Sequence, residues 1–269
     1  MITTEKDRTR YNEYIKPYQD TINILFEQKN KARADIDNNT QDPELKRYEL
    51  VDMMLNITSY FLVINGVSQS VLDQKNEDAL NDARKSLTKS IKYLEDTVST
   101  FLDVSFSDYE KKLETIDSIT PEQRYLLLQK MGLAIQLLKN AYGDTSKWKW
   151  SFVELEGRFA IVAKNLLNLR DVMKNSNMQS PHYRATNFHI TLVKNLLMQA
   201  ADRYRDKYEL STSNPDDFKT GINYLSALKR INILTGKQSD AENVQKKLDV
   251  WKNKLAADIN KQKQLSGKN

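Results

Sequence analysis

The stretch DPELKRYELVDMMLNITSYFL, residues 42–62, decides the fold class. Asp42 is a residue type that caps helices, and Pro43 fits the first helical position because its missing N–H would be unpaired there anyway. Behind that start, Tyr48, Val51, Leu55, Thr58 and Leu62 recur at alternating spacings of three and four. That period lines one face of an α-helix. No glycine or proline interrupts it before Gly66, so a helix running to Leu72 is predicted. Three more prolines follow capping residues, in Thr120-Pro121, Ser180-Pro181 and Asn214-Pro215, and each predicts another helix start.

The same reading extends outward. Thr3 to Asp37 reads as a helix in which Pro17 either introduces a kink or starts a second piece. A helix from Glu77 to Leu102 carries Leu80, Ala83, Leu87, Ile91, Leu94, Val98 and Phe101, and the short link Asp73–Asn76 makes it an antiparallel hairpin with its predecessor. A shorter helix ends near Ile116. Thr120-Pro-Glu-Gln123 combines a proline start with a capping box, and Gly143 is the expected stop. The most apolar segment is a single helix from Trp150 to Met173, with Phe152, Leu155, Phe159, Val162, Leu166 and Leu169 on its main stripe. Ala160, Ile161, Ala163, Leu167 and Val172 widen that stripe, so this helix is expected at the centre of a bundle. Pro181 is expected to open the next helix, and Asn214-Pro215 the one after, which ends near Gly236. Ser239-Asp-Ala-Glu242 reads as a second capping box, opening a last helix with Val244, Leu248, Trp251, Leu255 and Ile259. Strand signals are missing. The expected class is all-α, an elongated bundle of seven to nine mostly long antiparallel helices in hairpins without a β-sheet. Residues 1–269 read as a single elongated helical domain, with a subdivision into a hairpin arm, 1–106, and a bundle, 107–269.

Composition supports the elongated reading. Hydrophobic residues make up 39% of the 269 and charged residues 29%, which is little apolar filling for a sphere of this size. The net charge of +5 equals the excess of seven lysines over two aspartates from Gln245 onward, so the remainder is close to neutral. Such a lysine-rich helix meets acidic protein faces or anionic lipid, or is a solvated end favoured by the helix dipole. No arginine interleaves the lysines, and nucleic acid is not an expected partner. Cysteine is absent, which removes disulfides and thiolate chemistry and suits a periplasmic or a cytosolic setting. No run of about eighteen apolar residues is seen, so membrane insertion is not expected either.

The motifs of common chemistry fail on their spacing. His182 and His189 are seven apart, about 10 Å along a helix at 1.5 Å per residue, too far to share a metal. Asp35, Asp37 and Asn39 mimic the start of a calcium loop, but its sixth and twelfth positions hold Thr40 and Lys46. Gly236-Lys237 lacks the earlier glycine of a phosphate loop, where Ile231 stands, and is followed by Gln238. Glu154 and Glu156 point to different sides of a helix. No catalytic residue, metal or cofactor is expected. The candidate contacts are with other proteins: Trp148 and Trp150, which otherwise staple a helix start to the core, and Lys246, Lys247, Trp251, Lys252 and Lys254 on the last helix.

Two stretches, Trp148-Lys-Trp-Ser-Phe-Val-Glu-Leu-Glu-Gly157 and Asn195-Leu-Leu-Met-Gln-Ala-Ala-Asp-Arg-Tyr204, sit in a cysteine-free, lysine- and asparagine-rich helical chain. In that character the chain resembles the flagellar coiling proteins of spirochaetes such as Leptospira. The resemblance implies a non-enzymatic protein in the sheath of the periplasmic flagellar filament. Its partners would be core and sheath subunits, and its work would be to impose filament curvature for motility. It also implies that a secretion signal has been removed from the start. A cytosolic adaptor that binds a partner helix is the alternative, and an all-α enzyme with a carboxylate or lysine site is a third class.

Overall fold

The computed structural model describes residues 4–38, 42–103, 106–143 and 148–266. Within them the chain forms ten α-helices and no strand, so the fold is all-α. The helices are α1 (Glu5–Asp37), α2 (Pro43–Leu72), α3 (Glu77–Thr97), α4 (Phe106–Glu114), α5 (Pro121–Tyr142), α6 (Lys149–Asn165), α7 (Leu169–Lys174), α8 (Tyr183–Lys207), α9 (Pro215–Leu234) and α10 (Gln238–Ser266). The contacts group them into two units, one of residues 1–99 and 107–149, the other of residues 100–106 and 150–269. Residues 107–149 group with the first unit because α5 packs on α2 and α3. Tyr48 donates a hydrogen bond to the Gln123 carbonyl, and Lys130 pairs with Asp52 at 2.6 Å.

In the first unit α2 is the shared element, with α1, α3 and α5 all packed on it. Leu50, Val51, Met54 and Ile57 are wholly buried, so its covered surface exceeds the single stripe read from the sequence. Length and composition alone would let α2 cross a membrane, although 44% of its most apolar window is buried within the protein. The α2–α3 link is fixed by polar contacts. Asn65 of α2 accepts from the Asn76 N–H at 2.9 Å, and the Asn76 side chain in turn caps the Ala79 N–H at 2.9 Å. Helix α1 runs unbroken through Pro17. Helix α3 stops at Thr97 rather than Leu102, where Thr97-Val-Ser-Thr100 supplies four residues of modest helix propensity.

In the second unit α9 lies between α8 and α10. Gly221 allows a close approach, since a Cβ there would stand 2.9 Å from the Ala201 carbonyl oxygen of α8. The stripe of α10 is covered as expected: Val244, Leu248, Trp251 and Leu255 are buried, and Phe218 of α9 lies 5.4 Å from the Trp251 ring. Helix α8 ends in a π-helical turn, Tyr208–Thr212, that the sequence reading missed. Tyr208 stacks on Phe218 there at 5.0 Å, and Thr212 donates to Asp217 at 2.7 Å.

Three expected boundaries are corrected. The segment Trp150–Met173 is two helices. The Asn165 side chain, fully buried, donates to the Phe101 carbonyl, the Leu167 N–H turns back to the Lys164 carbonyl, and Asn168 caps α7 at the Arg170 N–H. Leu166 and Leu167 fill the core at the bend, and Met173 is left 77% exposed. Ser180-Pro181 precedes α8 instead of opening it, because the Ser180 hydroxyl is turned to the Asn175 side-chain oxygen at 2.6 Å. Ser239 does not cap α10: the Ala241 N–H already bonds the Lys237 carbonyl, which places Ser239 inside the helix.

Thr120 and Asn214 cap their helices as read, and Thr120 with Gln123 forms the full capping box. Asp42 does not, since it sits in the left-handed region at φ 58° with no side-chain cap bond. Replacing Thr120 with Ala should cost about 1 kcal/mol in urea unfolding. Asp42→Gly should instead leave stability unchanged or raise it by about 0.5–1 kcal/mol, because glycine accepts that backbone without strain.

Candidate functional site

The residues picked out by the sequence fall into three groups. Trp148 is half-buried within the first unit, 6.0 Å from the Tyr142 ring and with the Arg84 guanidinium 4.5 Å from its centroid. It staples the chain behind α5. Trp150, half-buried, belongs to the second unit. Trp251 is 5% exposed, so its ring serves the core of that unit and is not a surface contact, which corrects its place among the candidates. Lys247 lies over that ring at 5.0 Å and pairs with Asp202 at 2.9 Å. Lys254 pairs with Asp258 at 3.3 Å and Glu209 at 3.7 Å. Lys246 and Lys252 are exposed and make no ion pair among the described residues. Of the lysines proposed as contacts, these two alone present an uncommitted charge.

The histidines part company as the spacing required. His182 precedes α8, and His189 is buried with its Nε2 at 2.9 Å from the Ala163 carbonyl, joining α8 to α6. No group of three metal-ligating side chains occurs among the described residues. Asp35 pairs with Lys46 at 3.8 Å, so the two ends of the calcium-like run answer each other, while Asn39 and Thr40 lie outside the described residues.

Lys164, at the end of α6, is 8% exposed. Burial, reinforced by the Arg230 charge, pushes its ammonium down to about 8, against the opposing pull of Asp103. Arg230 and Asp103 form an ion pair. A buried amine with a neutral fraction near pH 7 is what a lysine nucleophile requires.

The first unit carries an open trough. Helices α1 and α3 both lie on α2, and between them is a cavity of about 470 Å³. Ile15, Ile22 and Phe26 of α1, spaced by seven and four, form one wall; Phe61 and Ile64 of α2 form the floor. Asn76 closes one end by donating to the Tyr11 hydroxyl at 2.8 Å. Asp20, Asp78 and Asp82 stand among the lining residues, and Asp82 is held by Lys85 at 2.9 Å. Asp20 and Asp78 are exposed and make no ion pair among the described residues. The trough is thus apolar below and acidic above. The signal for it was present in the sequence as Asp78 and Asp82 one turn apart on α3, but nothing local says that α1 stands off from α3.

This geometry defines the class: an all-helical protein of two units, one of them carrying an open groove. The chain belongs to the TP0443 family, whose model matches residues 7–259. That family is named for a protein of Treponema, a spirochaete, which supports a spirochaete origin. No curated protein matches the chain. One solved structure, described as "Computational Design of Self-Assembling Cyclic Protein Homooligomers", aligns over 94% of this chain and 98% of its own at 13% identity. Its TM-score is 0.28.

Lys164 supplies a test of the second unit's electrostatics. Its folded value lies below the ordinary 10.5, so the unfolded chain holds more protons between about pH 8 and 10.5. Wild-type stability should therefore rise across that window relative to Lys164→Met, by up to about 3 kcal/mol. Parallel urea curves for the two proteins at pH 7.5 and 9.5, differing by the same amount at both, would show that the ammonium is not penalised.

Proposed function

We propose that this protein is a non-enzymatic structural component that works through lateral contacts between protein subunits. The α1–α3 groove would receive a helix from a neighbouring subunit. The observation that carries the reading is the pairing of an apolar floor with aspartates that have no ion-pair partner among the described residues. A helix laid into a groove needs a surface of this kind, with apolar anchors three and four residues apart below and charges at the rim. The rim is acidic, so the fitting helix carries lysine or arginine beside its apolar ridge.

The finer reading places the contact in the sheath of a spirochaete periplasmic flagellar filament. Membership in a family named for a Treponema protein supports the organism group, and the resemblance drawn from the sequence supplies the assembly. The mechanics are reasonable. A groove of one sign on one subunit and a helix of the other sign on the next make a heterologous contact, which propagates along a filament wherever its rotation does not close into a ring. Contacts repeated along one side of a core hold it curved.

Purified periplasmic flagella test both levels. The wild-type protein should co-sediment with filaments, and Asp20→Lys with Asp78→Lys should weaken recovery about tenfold by placing like charges against the partner's basic flank. Recovery in the cytosolic fraction, away from filaments, would remove the flagellar assignment. Co-sedimentation untouched by the two reversals would remove the groove from the contact.

A further inference from the structure

The same helices build a second cavity of opposite charge. Towards the end of α1, the start of α2 and the second half of α3 lies a pocket of about 300 Å³. Lys29, Arg33, Arg47, Lys89 and Lys92 all line it, against two carboxylates, Asp37 and Asp96. Those acids do not answer the lysines: Asp37 approaches Arg33 at 3.9 Å, and Arg47 is held by Glu44 at 3.5 Å. Lys29, Lys89 and Lys92 make no ion pair among the described residues.

Lys29 decides the matter. It is 8% exposed, lines the pocket, and among the described residues its ammonium has the Phe26 ring at 5.5 Å and no ion-pair partner. Burying a cation with no counter-charge is costly, and crowding it with others adds repulsion. Burial first, then the charges of Lys89 and Arg33, pulls its ammonium below the ordinary lysine value. Every one of those costs is relieved by an anion seated among the cations.

We propose that this pocket binds a compact phosphate-bearing anion, with Lys29, Lys89 and Lys92 as its charge partners and Arg33 or Arg47 able to offer a guanidinium fork. A phosphate group presents several acceptor oxygens carrying more than one negative charge, which matches donors converging from three helices. The volume stands at the lower end of ligand pockets, which favours a pyrophosphate or a phosphate monoester over a long polyanion. Two sources present that chemistry, a free phosphate compound and the headgroup of a phosphatidate lipid. The inference does not rest on the groove or on a flagellar role.

The test titrates the whole protein with inorganic pyrophosphate by calorimetry, at constant ionic strength adjusted with chloride. Saturable one-to-one binding is expected, weakened about tenfold or more by Lys29→Met and by Lys89→Gln, and unchanged by Lys261→Gln at an exposed position of α10. Lys89 is less enclosed than Lys29, so its variant keeps the test decisive should Lys29→Met fail to fold. Sedimentation with phosphatidylcholine vesicles, with and without phosphatidate, separates the sources. Pelleting only with phosphatidate and lost in Lys89→Gln assigns a lipid headgroup; pyrophosphate binding without pelleting assigns a free anion. Absence of saturable pyrophosphate binding, or binding that both lysine variants retain in full, would overturn the proposal.

Discussion

The burial of α2 against three neighbours is the constraint on which the first unit depends. Its buried residues run from Leu50, Met54 and Ile57 round to Val51, Leu55 and Tyr48, about half the circumference at 100° per residue, so one partner could not cover them. Removing each such side chain from water is worth about 1.5–3 kcal/mol, and that gain fixes α1, α3 and α5 around it. Once α1 and α3 are both committed to α2, the space between them is set by the width of the helix beneath. The groove is a consequence of that arrangement. Its walls are the flanks of helices whose principal faces are already used.

The charges then divide the flanks. On α3, Asp78 and Asp82 stand near the N-terminus, where the helix dipole favours them, and Lys89 and Lys92 lie towards the other end. Along α1, Asp20 comes before Lys29 and Arg33 in the same sense. Two cavities on one pair of helices therefore have opposite character. One is lined by Asp20, Asp78 and Asp82, the other by Lys29, Arg33, Arg47, Lys89 and Lys92. Both cavities are lined by α1 and α3, which are packed on α2.

Much of the fold was legible because helix starts and stripes are local chemistry. Pro43, Pro121 and Pro215 stand where the sequence put them, and four of the five residues read for the α10 stripe are buried, Ile259 being half-buried. The misses share a cause. Asn165 and Asn168 break the α6–α7 segment through bonds to the Phe101 carbonyl and the Arg170 N–H, and a three-four apolar period carries no sign of either. Ser180 and Ser239 are capping residue types whose environments commit them otherwise. The site was less legible still. Tryptophan drew attention for its size, yet Trp251 is spent on the core and Trp148 lies against Tyr142 and Arg84. What distinguishes the groove is the separation of α1 from α3, a tertiary fact. The alternating charge blocks of α3 could have been noticed, but only the fold shows that they face a cavity.

The acidic groove is proposed as the seat for a neighbouring subunit's helix. The chain has no cysteine, and exposed Asn23 lines the groove, so a single photo-reactive group attached through Asn23→Cys reports directly on what occupies it. Illumination in intact cells should yield one discrete cross-linked protein species whose cross-linked peptide is a lysine- or arginine-flanked helix. A protein that stays uncross-linked there, while the same probe at exposed Ser59 on α2, outside the groove, captures a partner, would contradict it.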